Sequence, residues 1–346
     1  MKVALISFRL GHADGVSIEA EKWKRALLKL GHHVFTVAGN AGVDRHVPGL
    51  DFNDSVEPDA DAIREALADA EVVIVENICS LPLKPDASAC IVRVLRDRPA
   101  ILHHYDLPWQ RERFVHFTGW PATDWAWRHV TINELSRDQL VRRGVDASVI
   151  PCAFDAPTTK GRGEELRAAL RILPDAVLQL QPTRVIARKG IPSAIQLARA
   201  LGAKLWITGP EEEGYVLDHE GLDILRGWPE GEWTMNDAYA ACDVVSFPSL
   251  WEGFGMPVIE SALHRKPLAV RHYPVLAEMA RHGFRWFDVD RPEVAGDIRS
   301  FIAARHESWT TDWLDHNARV AMNEYSFDAL GIRLRTLLDD VLGVRR

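Results

Sequence analysis

A chain of 346 residues with 47% apolar residues is too long for one comfortable core and suits two domains of ordinary size. Its 41 basic against 49 acidic residues, a net charge of -8, has the wrong sign for a protein that holds nucleic acid through phosphate neutralisation, so no polynucleotide partner is expected. Cys79, Cys90, Cys152 and Cys242 stand far apart with no C-x-x-C pair, signalling neither a zinc site nor a disulfide framework. No segment approaches the roughly 20 apolar residues of a membrane span, and the apolar run Val3 to Phe8 is too short for a secretory leader. A cytoplasmic protein is the expectation.

The opening KVALISF is a short β-rich run. After a glycine-containing turn come Val16, Ala20, Trp23, Leu27 and Leu30 at helical spacing. Strands are predicted at His33 to Ala38, Val72 to Val75 and Ala100 to His104, with a helix near Asp59 to Ala68. That alternation predicts a parallel, doubly wound sheet. Around Pro151 it breaks into CAFDAPTTKGRG, where a domain junction is expected. Beyond a helix beginning near Glu164 it restarts with strands at Val177 to Pro182, Lys204 to Thr208 and Asp243 to Pro248 and a helix from about Gly190 to Leu201. The fold class is therefore α/β with two Rossmann-like, doubly wound domains, residues 1–152 and 153–324. Ligands of such sheets bind at the carboxyl ends of the strands, and a cleft between the two is the default active site.

The most informative segment is FPSLWEGFGMPVIESALHRKPL. A strand ends near Pro248, a glycine-bearing loop follows, and Pro257 suits a first helical turn. Gly253 and Gly255 let backbone amides approach a ligand, and the helix N-terminus adds partial positive charge. Glu252 on the loop and Glu260 one turn into the helix can each accept a pair of sugar or ribose hydroxyls. Upstream, QPTRVIARKG places Arg184 and Lys189 at another strand end, where fixed cations answer the charge of a departing diphosphate.

EGFGMPVIE resembles the motif of the retaining glycosyltransferases of family 4, which have the GT-B fold (glycosyl transferases group 1), and R-x4-K-G resembles that family's donor-phosphate element. The resemblance implies that Glu252 and the loop amides of Gly253, Phe254 and Gly255 hold the donor sugar, that Glu260 binds ribose, and that Arg184 and Lys189 hold the diphosphate. It implies that Gly15 presents the first loop to donor and acceptor, with Asp14 where many relatives have a second glycine. In ILHHYDLPWQRERF it favours His104 over His103 beside the donor sugar's outer hydroxyls. Asp106 and the aromatic stretch of Trp109, Trp120, Trp125 and Trp127 become candidates for the acceptor side, since flat rings stack on sugars. The last helix, residues 325–346, with Leu330, Ile332, Leu334, Leu337, Leu338 and Val341 at helical spacing, is expected to return to the first domain.

The implied activity is transfer of a hexose from a nucleoside diphosphate sugar, UDP-glucose or GDP-mannose leading, to a hydroxyl acceptor. Retention follows a front-face reaction in which the donor phosphate takes the acceptor's proton. The nucleotide sugar is a co-substrate, and no further cofactor is implied. No metal is implied either, because basic side chains and helix dipoles neutralise the diphosphate. Asp288-Val289-Asp290, a D-x-D match after a strand FRWF, reads as a solvated loop. A sugar-nucleotide epimerase or phosphorylase of the same fold, and a non-catalytic sugar-nucleotide-binding protein, remain alternatives. The acceptor's identity and the oligomeric state are not legible.

Overall fold

The computed structural model describes residues 1–12, 14–217 and 221–343. It divides into two compact units: Met1–Ala153 together with the C-terminal helix, and Phe154–Ser326.

In the first unit the chain runs β1 (Lys2–Ile6), α1 (Gly15–Lys29), β2 (His33–Ala38), β3 (Arg45–His46), α2 (Ala60–Ala66), β4 (Val72–Glu76), α3 (Pro85–Leu95), β5 (Ala100–His104), β6 (Trp127–Thr131), α4 (Glu134–Val141) and β7 (Ala147–Val149). The sheet is parallel, ordered β3-β2-β1-β4-β5-β6-β7. Side-chain alternation explains why β1 is apolar throughout. Val3 and Leu5 pack with Trp23 and Leu27 of α1, while Ala4 and Ile6 pack with Ile63 of α2 and Ile91 of α3. Helices therefore cover both faces.

The second unit contains α5 (Gly163–Ala169), β8 (Leu178–Gln181), α6 (Ile191–Leu201), β9 (Lys204–Ile207), β10 (Ile224–Arg226), α7 (Met235–Ala241), β11 (Val244–Phe247), α8 (Met256–Leu263), β12 (Leu268–Val270), α9 (Leu276–Arg281), β13 (Phe287–Asp288), α10 (Val294–Ala303) and α11 (Ser308–Tyr325). Its parallel sheet is ordered β10-β9-β8-β11-β12-β13. Both orders run outward from the first strand and then reverse, so each sheet has a switch point: β1/β4 in one unit and β8/β11 in the other. There the connecting loops diverge and leave a crevice at the strands' carboxyl ends.

The chain closes with α12 (Phe327–Gly343), whose Leu330, Leu334, Leu337, Leu338 and Val341 join the core around Val3, Leu5 and Trp23. Ile332 departs from the expected stripe and is 67% exposed. Three further expectations need correction. The strand expected over FRWF is only Phe287–Asp288, and Asp290 is not simply solvated, because Arg271 Nη2 donates to it at 2.5 Å. Trp127 is not a surface aromatic: it opens β6 at 4% exposure, and its indole N–H donates to the Leu95 carbonyl at 3.1 Å.

Candidate functional site

The β8/β11 switch point gathers the predicted cations and the glutamate loop. Gln179 and Gln181, fully buried in β8, are costly there unless satisfied. Gln179 Nε2 donates to Ser246 Oγ of β11 at 3.0 Å, and Ser246 Oγ donates to Gln181 Oε1 at 2.9 Å. Gln181 Nε2 in turn donates to Thr183 Oγ1 at 3.1 Å and to the Lys189 carbonyl at 3.3 Å. These polar residues pin β8 to β11 and fix the tight 3-10 turn Ala187–Lys189.

Two glycines make that closeness possible. Gly190 has φ +64° and a Cβ there would stand 2.1 Å from the Pro248 carbonyl oxygen; Gly255 has φ +100° and a Cβ would meet Tyr273 Oη at 2.0 Å. Any side chain would therefore push the loop after β11 away from its neighbours.

Between these elements Glu252 is 7% exposed and Lys189 9%. Lys189 Nζ donates to Glu252 Oε1 at 2.5 Å and Arg188 Nη1 to Oε2 at 3.0 Å. Burial pushes the Lys189 ammonium below its ordinary pKa, Glu252 opposes that shift, and Arg188 and Arg184 lower it further. Arg184 pairs with Glu212 at 2.7 Å and is half-exposed. Sequence reasoning missed Arg188: the spacing of Arg184 and Lys189 drew attention past it, although the Arg-Lys doublet stood in view.

The loop then enters α8, whose N-cap Gly255 provides no side-chain cap. Phe254 is buried against Phe154 and Tyr325, and Tyr273 Oη donates to its carbonyl at 3.2 Å. On α8, Glu260 Oε2 accepts from Tyr239 Oη at 2.7 Å. Burial, then the Glu260 carboxylate, push the Tyr239 phenol well above its usual range. Tyr239 is a second residue the sequence did not disclose.

In the first unit Asp14 and Gly15 follow β1, whereas His103 and His104 end β5 and Asp106 and Trp109 come after it, with different chemistry. Asp14 caps α1, accepting from Ser17 N at 3.0 Å and Ser17 Oγ at 3.1 Å, with Arg9 3.7 Å away. Gly15 opens the helix, and a Cβ there would meet nothing within 4 Å. His104 does not offer a free ring nitrogen: Nδ1 is 2.6 Å from Ser80 Oγ and Nε2 2.9 Å from His129 Nδ1, at 1% exposure. Burial drives His104 well below its ordinary pKa, with help from His129 and His103. His103 faces the other way, stacked on Trp23 at 4.1 Å, with Nδ1 2.8 Å from Glu76 Oε2 and no partner for Nε2 among the described residues. Asp106 accepts from Arg111 at 2.7 Å. Trp109 donates to Gln139 at 2.7 Å, and the Arg143 guanidinium covers one face of its ring at 3.8 Å.

Among the described residues no group of three His, Cys, Asp or Glu side chains converges as a metal site, and no helix is long and apolar enough to cross a membrane.

Residues 186–305, which include Arg188, Lys189, Glu252 and Glu260, match the family model described as Glycosyl transferases group 1. The chain is a glycosyltransferase of the GT-B type. It is 27% identical to the mannosylglucosylglycerate synthase of Thermotoga maritima over 80% of this chain and 81% of the relative. It is 26% identical to the Petrotoga mobilis protein of that name, over 80% and 83%. Among solved structures, Anabaena HepE in complex with UDP-glucose superposes with TM-score 0.71 at 15% identity, covering 98% of this chain and all of that one. The Thermosynechococcus elongatus sucrose-phosphate synthase gives 0.72 at 14%, covering 99% of each.

Proposed function

We propose that the protein transfers a hexose from a nucleoside diphosphate sugar to a hydroxyl acceptor with retention at the anomeric carbon. The observation that carries this reading is the clamped Glu252, held by Arg188 and Lys189 beside the α8 entrance. Both its oxygens are engaged by cations, so it is held as a rigid hydrogen-bond acceptor and is poorly suited to act as a nucleophile. Arg184, on the exposed side of the same strand end, is the cation that can swing from Glu212 to a diphosphate. Lys189 supplies charge from behind, and the Gly253, Phe254 and Gly255 amides with the helix dipole meet negative charge as the leaving group departs. Glu260, oriented by Tyr239, accepts from ribose hydroxyls. The donor phosphate takes the acceptor proton, so no protein base is required.

Gly15, with open space at its Cα, admits close approach of donor or acceptor in the first unit. His104 keeps the sugar-side role expected of it, with His103, whose Nε2 has no partner among the described residues, as the alternative. Asp106 and Trp109 remain the acceptor-side candidates. No metal is required by this scheme. The names of the synthase relatives favour mannose as the hexose and a glucoside bearing a carboxylate as acceptor, making GDP-mannose the first donor to test and UDP-glucose the second.

The test is calorimetric binding of UDP and GDP, followed by product analysis with each sugar nucleotide. Binding of one nucleotide with turnover, weakened by Arg184→Ala, is the expected result. Sugar phosphate release that requires inorganic phosphate would make it a phosphorylase, and binding without turnover a non-catalytic protein.

A further inference from the structure

At the opposite end of α8 from Glu252, the second unit has a groove of about 660 Å³. One wall is the loop from Ala156 to Gly161; the others are α7, the residues following α8, and one face of α11. The loop wall is built, not draped. Asn236 Nδ2 donates to the Thr159 carbonyl at 3.2 Å, and a Cβ on Gly161 would stand 2.4 Å from the Asn236 carbonyl oxygen, so only glycine lets this backbone lie against α7.

The lining contains Lys160, His264, Arg265, Lys266 and Arg319 and no carboxylate, in a chain whose net charge is -8. Arg265 is paired with Asp315 at 2.5 Å, and Lys266 donates to the Cys242 carbonyl at 2.8 Å, closing the end of α7. Among the described residues, the side chains of Lys160 and Arg319 have no hydrogen-bond or ion-pair partner. Apolar Leu263, Ala318 and Met322 line the same space. Unpaired cations above an apolar surface suit a small organic anion.

The groove also has a physical connection to the donor loop. The His264 imidazole stacks on the Tyr239 ring, centroids 4.6 Å apart and planes 6° apart, and Tyr239 Oη donates to Glu260. Burial and the neighbouring Lys266 hold His264 down to about 4, so at neutral pH it is an uncharged ring that an adjacent anion would reposition or protonate. We propose that this groove is a second binding site, for a small phosphate- or carboxylate-bearing molecule, and that its occupancy is transmitted through His264 and Tyr239 to Glu260 and thence to nucleotide binding. The site stands apart from the donor assignment, whereas the transmission rests on it.

Calorimetry on the full chain with inorganic phosphate and, separately, citrate tests both parts. At least one anion should bind, and which one does distinguishes phosphate from carboxylate recognition. Lys160→Ala/Arg319→Ala should weaken binding about tenfold or more, while Arg184→Ala should not. Loss in Arg184→Ala with the groove variant intact, or no binding of either anion at millimolar concentration, overturns the site. With the anion saturating, the UDP or GDP dissociation constant should change about threefold or more, and Tyr239→Phe should keep anion binding but abolish that change. An unaltered nucleotide constant in the unmodified protein overturns the transmission. Failure of every nucleotide to bind removes the donor reading and the transmission with it, and leaves the groove to be judged on anion binding alone.

Discussion

Replacing Glu252 by glutamine keeps the side chain's shape and removes its charge, which strands the Lys189 ammonium at 9% exposure with Arg188 and Arg184 as its charged neighbours. Removing one member of a buried ion pair typically costs about 3 to 5 kcal/mol. Here the amide oxygen can still accept from Lys189, and the lysine, whose pKa burial already lowers, can shed its proton, so the low end, about 3 kcal/mol, is appropriate. For a unit the size of Phe154–Ser326, roughly 2 to 4 °C per kcal/mol converts this to a fall of about 6 to 12 °C in its melting transition. Differential scanning calorimetry of Glu252→Gln, Lys189→Met and the double variant reads it directly. The double variant, which leaves only the partly exposed Arg188 without its carboxylate, should be more stable than the sum of the single losses by about 2 kcal/mol. A Glu252→Gln transition within about 1 °C of the unmodified protein, or strictly additive losses, would show that Glu252 and Lys189 do not form a buried, mutually dependent pair.

Gly255→Ala combines a left-handed backbone with a Cβ 2.0 Å from Tyr273 Oη; a loss of about 2 to 4 kcal/mol is expected by chemical denaturation, and adding Tyr273→Phe should restore part of it. Arg184→Ala breaks only a half-exposed pair with Glu212, so stability should change by less than about 1 kcal/mol, while calorimetry should show nucleotide binding weakened about tenfold or more. Acid should destabilise the first unit through His129, which burial lowers to about 4. Because the unfolded chain takes up this proton first, the stability present above about pH 6.5 is lost as pH falls toward 4. His129→Phe should flatten the fall in melting temperature across that window, and an unchanged slope would exclude His129 as its source.

Much of the fold was legible because strands covered on both faces read as nearly unbroken apolar runs: KVALISF overlaps β1, which ends two residues earlier, and VVIV falls within β4. The two- and three-residue edge strands β3, β7, β10 and β13 carry no such signal, since they bury little and are defined by their neighbours' backbones. Trp127 was misread for a related reason. Its position after a loop resembles a surface, and only pairing of β6 with β5 places it in the core. In the candidate site, spacing made Arg184, Lys189, Glu252 and Glu260 visible. What it could not give is which cation reaches which acid 63 or 64 positions away, because that depends on the geometry of the Ala187–Lys189 turn. The glutamines of LQLQP and the serine of VVSFP were the overlooked signal, since polar groups inside fully buried strands bond chiefly to one another, although Gln179 Oε1 has no partner among the described residues. Likewise His103 and His104, adjacent on a strand, face opposite sides of the sheet, and a motif match cannot choose between them without the pleat.

The two sheets follow the same outward-and-reversed strand order, yet their switch points are electrostatically unlike. At β1/β4 the entering helix α1 is already capped by the Asp14 carboxylate, which answers the helix dipole from within, and the strand ends carry Glu76 and the neutral His104. A second anion would gain little there. At β8/β11 the entering helix α8 has no side-chain cap, and Arg184, Arg188 and Lys189 stand at the neighbouring strand end with the single buried carboxylate of Glu252 shared between two of them. With Arg184 paired to Glu212, the surplus amounts to one positive charge, held in place by buried glutamines and by glycines that leave no room for a side chain. On the proposed reading a diphosphate is the ligand whose charge answers that surplus, and the second unit is where the nucleotide would bind.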